Sequence, residues 1–115
     1  MSHKTIEVVN DFHSRPYGRL TNDAPGCELS SGQAFRDKHL APALHEFDKV
    51  TVDLTGFNRY GRSFLDEAFG GLIRESKFTK AQLDEKLSYV HNDLASVVAI
   101  IDERIERAEQ DRVAR

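Results

Sequence analysis

Between Val50 and Leu72 the apolar residues change from recurring at every second position to every third or fourth, and this constrains the fold more than any other stretch. Val50, Val52 and Leu54 alternate with Thr51, Asp53 and Thr55, which predicts a strand with one buried face and one that tolerates polar groups. Leu65, Ala68, Phe69, Leu72 and Ile73 then follow at helical intervals, which predicts an amphipathic helix packed on a sheet. The polar turn between them carries Arg59 and Arg62, and Ser63, Asp66 and Glu67 fall where the helix opens.

The same two signals recur on either side. Ile6 and Val8 alternate with Thr5 and Glu7, predicting a first strand, and Pro16 and Gly18 punctuate the chain before a short second strand near Leu20. Ser30 with Gln33 three positions later has capping-box spacing and predicts a helix carrying Phe35, Leu40, Leu44 and Phe47, which Pro42 should kink or divide. Thr79 and Gln82 open another short helix, "LSYVH" reads as a last strand, and Asn92 or Asp93 caps a long helix to about Arg112. The resulting fold class is an α/β sandwich, a small mixed sheet with helices packed mainly on one face, as a single domain over residues 1–115 with its core at about 5–107.

Composition narrows the function classes. A chain of 115 residues buries about two thirds of its unfolded surface and holds one core. A net charge of −3, with no basic run interleaved with aromatics, disfavours nucleic acid. The longest nearly apolar stretch, Leu94 to Ile101, falls far short of the roughly 18 residues a bilayer span needs, and a start without an apolar targeting segment points to the cytoplasm. Cys27 has no partner for a disulfide and reads as a loop bystander; the five histidines show no ligand spacing, so neither metal nor cofactor is expected.

The strand-to-helix junction admits two readings of Ser63. With Asp66 three positions on, it has the spacing of a helix cap worth about 0.5–2 kcal/mol. It is equally a hydroxyl at a helix start, where a phosphate would meet free amides and the nearby arginines. Arg59 and Arg62 balance Asp66 and Glu67 in a formal count, so a phosphate carrying about −1.5 to −2 charges would turn a near-neutral patch negative and expel a docked partner. Gly70 and Gly71 inside the helix each cost about 1 kcal/mol relative to alanine, a cost best explained by close packing of another backbone.

The pieces "GRL" at Gly18 to Leu20, "SGQAFR" with Gly32, Phe35 and Arg36, "VTVDLTGF" with Asp53, and above all "SFLDEAFGGL" with Phe64 and Phe69 resemble the STAS-like domains of unknown function. These are relatives of the sulfate-transporter and anti-sigma-factor-antagonist fold. The resemblance implies a partner-binding switch: in the antagonist relatives a serine or threonine at this junction is phosphorylated by a histidine-kinase-like ATPase, and the modification releases the complex. Laid on those relatives, their usual phosphoserine falls at Arg62, and Ser63 matches the serine after it.

The resulting expectation is a non-enzymatic regulatory domain that binds a protein partner, such as a histidine-kinase-like ATPase, through Arg59, Arg62, Ser63, Asp66, Glu67 and Gly70. Two alternatives stand beside it. One is a small hydrolase or anion-binding enzyme using Asp53 with Glu67; the other is a structural module in which Ile101, Ile105 and Ala108 form a homodimer. Arg19 and Arg36 either bind the partner or hold the loop through carboxylate or carbonyl bonds.

Overall fold

The computed structural model describes residues 2–114. Strands β1 (His3–Glu7), β2 (Lys49–Asp53) and β3 (Leu87–Val90) pair in that order. Ile6 lies opposite Val52 and Val52 opposite Tyr89, while Lys4, Val50 and Leu87 form the row beside them. Ile6, Val50, Val52 and Leu87 are buried under the helices. The other face presents Thr5, Glu7, Ser88 and Val90 to solvent, with Thr51 and Asp53 half-buried, so polar side chains in the alternate positions let the sheet be covered on one side.

The α/β class and the one-sided layering match expectation, but the described sheet is parallel throughout instead of mixed. The strand expected near Leu20 does not form. That segment gives its backbone groups to the start of a helix, through Tyr17 N–H to Ser30 O at 2.9 Å, Gly32 N–H to Gly18 O at 2.9 Å and Gln33 N–H to Arg19 O at 3.0 Å. The first strand also ends earlier than the apolar alternation, since Val8–Phe12 coil into a π-helical turn.

Short helix α1 (Cys27–Ser30) holds Cys27 buried, not in an open loop. A helix over 32–46 follows, made of α2 (Gly32–Phe35), a π turn (Arg36–Leu40) and α3 (Ala41–Glu46). Its cap is Ser31, one residue later than predicted, whose Oγ accepts from Ala34 N–H at 3.2 Å. Ser30 instead donates to Tyr17 O, and Gln33 accepts from Thr21 N–H. Pro42 is the second residue of α3, after the Ala41 N–H has closed the π turn on Arg36 O, and the helix continues past the proline.

After β2 comes the helix over 62–74: α4 (Arg62–Leu65), a π turn (Asp66–Gly70) and α5 (Gly71–Arg74). The capping box of α6 (Lys80–Lys86) forms as predicted between Thr79 and Gln82. In front of α7 (Ala95–Val113) neither Asn92 nor Asp93 caps; Nδ1 of buried His91 accepts from the N–H groups of Asp93 and Leu94 at 3.1 Å each. Val97, Ile101, Ile105 and Ala108 pack α7 along the 62–74 helix and are buried. The stripe expected to form a dimer is therefore used inside the protein.

Candidate functional site

The loop from β2 into the 62–74 helix is pinned at both ends. Thr55 N–H bonds to Asp53 Oδ1 at 3.0 Å, and the hydroxyl of Tyr60 donates to Leu54 O at 2.9 Å. Burial first, and then the charge of Asp53, push the Tyr60 phenol up and keep it a donor. Because Nδ1 of His91 accepts two main-chain bonds, its proton belongs on Nε2, which donates to Phe57 O at 2.8 Å. The turn at Gly56 needs the left-handed conformation, φ +104°.

The helix starts at Arg62, with Gly61 in the cap position and no side chain capping it. Ser63 is thus the second helical residue, exposed, and not the cap its spacing with Asp66 predicted. The first intrahelical bond runs from Leu65 N–H to Gly61 O at 3.1 Å, leaving the preceding amide groups without intrahelical partners.

One turn further the chemistry turns inward. Glu67 is 8% exposed and Arg36, on the neighbouring helix, 3%. Arg36 Nη1 donates to Glu67 Oε2 at 2.5 Å and to Glu67 O at 2.8 Å. Arg19 Nη1 donates to Asp66 Oδ2 at 2.6 Å and reaches Glu67 Oε1 at 3.4 Å. Arg74 Nη2 holds Asp66 Oδ2 and Asp66 O, each at 3.1 Å. Burial acts to raise the Asp66 carboxyl, but the hydrogen bonds and charges of Arg19 and Arg74 outweigh it and hold the group below the usual carboxylate range.

This network explains the double glycine. A Cβ on Gly70 would sit 2.9 Å from Arg74 Nη1 and 3.0 Å from Asp66 Oδ1, and one on Gly71 would run into the Arg36 guanidinium. Each glycine lies four residues after an acid and clears the path by which an arginine reaches it. Gly70 also lies against α7, with Arg104 O 3.3 Å from a Cβ built there. Another backbone comes nearest to a glycine at Gly32, where a Cβ would lie 2.5 Å from Phe64 O. Phe35, Phe64 and Phe69 are fully buried, with Phe35 stacked near Phe64 at 6.2 Å and tilted against Phe69 at 6.4 Å between ring centroids.

The outward side is different. A cleft of about 560 Å³ beside Ser63 is lined by residues including Tyr17, Arg19, Asp23, Arg59 and Arg62. A second of about 670 Å³ shares Tyr17 and Arg59 and adds Arg15 and Phe57. Of the predicted contact residues, Arg59, Arg62 and Ser63 are brought together at this surface, whereas Glu67 and Gly70 are buried and Asp66 is half-buried against arginines. The formal balance of two arginines against two acids therefore does not describe the surface, because those acids are engaged inside.

Asp53 and Glu67, the pair of the hydrolase alternative, are engaged with the Thr55 amide and with the arginines, and neither lines the cleft beside Ser63. Among the described residues no group of three or more metal-ligating side chains converges, and no helix is long and apolar enough to cross a membrane. Sequence reasoning missed Arg74, Arg15 and Tyr17. The signal for a partnered acid was present: Glu67 falls three residues after Phe64 and four before Gly71, on the face that must be buried.

The family model of the STAS-like domain of unknown function (DUF4325) matches residues 31–96, more than half of the chain and all of the ion network except Arg19. The chain belongs to that family. No curated protein and no solved structure matches it. In this STAS-like domain the most distinctive run of the resemblance, Ser63 to Leu72, divides between an exposed serine and a buried lock of acids and glycines.

Proposed function

We propose that this STAS-like domain is a non-enzymatic regulatory module of the cytoplasm that binds a protein partner through the junction after β2 and is released by phosphorylation of Ser63. The observation that carries the reading is the placement of an exposed hydroxyl in the first helical turn, directly after the exposed Arg62 and lining one open cleft with Arg59 and Arg62. The pinned loop lowers the ordering cost of binding there. A histidine-kinase-like ATPase is the partner that the resemblance to anti-sigma-factor antagonists implies, serving both as binding protein and as the kinase that moves the γ-phosphoryl group of ATP to the Ser63 hydroxyl, with ADP leaving.

Capture of the tagged domain from host lysate, with and without ATP and followed by mass spectrometry, tests this. The expected result is an ATPase that is retained by wild type and Ser63→Ala, lost by Ser63→Asp, and released as Ser63 gains phosphate. Equal retention by all three, with no phosphate on Ser63, overturns the switch.

A further inference from the structure

We infer that the segment of the partner seated at the junction is acidic, an extended peptide carrying carboxylates and an apolar residue that spans the two clefts around Tyr17. The inference rests on the protein-binding reading above and supplies the chemistry of its partner. Arg15, Arg59 and Arg62 are exposed, and among the described residues their guanidinium groups make no hydrogen bond or ion pair. Arg19 keeps 37% of its side chain accessible beside them while it holds Asp66. The one acid lining these clefts, Asp23, is committed to the backbone, accepting from Arg19 N–H at 3.1 Å and Leu20 N–H at 2.9 Å.

A protein of net charge −3 thus gathers unpaired positive charge at one place. Guanidinium forks match carboxylates in two-point geometry, so this face complements an acidic chain. Tyr17 is 68% exposed, and with Phe57 it lines the second cleft beside Arg59, giving aromatic surface for an apolar side chain between charged ones. Nucleic acid fits less well, since it needs a continuous basic track that follows its phosphates. A phosphate on Ser63 would draw on the same arginines as the acidic segment, so release follows from competition for them.

The test is fluorescence anisotropy with a fluorescein-labelled octapeptide of alternating glutamate and leucine, beside a lysine–leucine octapeptide and an eight-nucleotide single-stranded DNA. The glutamate peptide is expected to bind, to weaken with salt, and to weaken at least about tenfold in the Arg59→Glu, Arg62→Glu double variant, whose circular dichroism matches wild type. No binding of that peptide, equal binding by the double variant, or tighter binding of the DNA overturns the inference. The same double variant in the lysate capture separates the two levels. Loss of the captured partner without glutamate-peptide binding defeats only the acidic segment; retention of the partner defeats the junction as the binding site as well.

Discussion

The inner and outer sides of the 62–74 helix carry residues only a few positions apart in sequence, in opposite environments. On the outer side Arg59, Arg62 and Ser63 project from a pinned loop and a first turn into solvent, without side-chain partners among the described residues. On the inner side Asp66 and Glu67 are fastened by Arg19, Arg36 and Arg74, at a π turn that Gly70 and Gly71 keep accessible to the guanidinium groups. The difference teaches that polar residues side by side in a motif need not share a surface. A helix turns about 100° per residue, so neighbouring positions can face core and water.

The largest expected effect comes from breaking the inner side. Glu67→Ala takes away the buried carboxylate that Arg36 Nη1 holds, leaving the guanidinium only the exposed Asp37 at its Nε, and should cost about 3–5 kcal/mol in urea unfolding. Next comes Gly32→Ala, which pushes a methyl group toward Phe64 O and the Ala68 backbone; about 1–3 kcal/mol is expected, read as a lowered thermal midpoint. A smaller, pH-dependent effect belongs to Asp66. Its folded carboxyl titrates below its unfolded value of about 3.9, so its stabilisation is complete above that pH and is lost as pH falls through the folded value. Acid unfolding of Asp66→Asn should show a flatter decline below about pH 4 than wild type.

The smallest effects sharpen the contrast from the outer side. Ser63→Ala and Arg62→Ala should each change stability by no more than about 0.5 kcal/mol, because neither side chain caps the helix or holds a partner within the domain. A Ser63→Ala loss near 1 kcal/mol would restore the cap reading.

The elements that local pattern controls were legible. Alternation marked β1 and β2, and the reciprocal bonds of Thr79 and Gln82 depend only on residues three apart, so α6 starts where the sequence places it. What escaped depends on distant partners. Segment 17–20 looks like a strand in isolation, but Ser30, Gly32 and Gln33 take up its backbone groups. Ser63 and Asp66 have capping spacing, yet Arg19 and Arg74 hold Asp66 and the helix begins one residue before the serine. The glycine cost signalled the approach of another backbone; α7 does bring Arg104 O against Gly70, but nearer to Gly70 lie Arg74 and Asp66 side-chain atoms, and at Gly71 what approaches is the Arg36 side chain, which only the three-dimensional arrangement identifies.

The most direct test is a double-mutant cycle on Arg36→Met and Glu67→Gln, read by equilibrium urea unfolding. The lock predicts strong coupling, about 2 kcal/mol or more, with the double variant far more stable than the sum of the single losses allows. Additive losses would mean that Glu67 and Arg36 do not hold each other, and the division of the helix into a buried lock and an exposed, unpartnered side would fail.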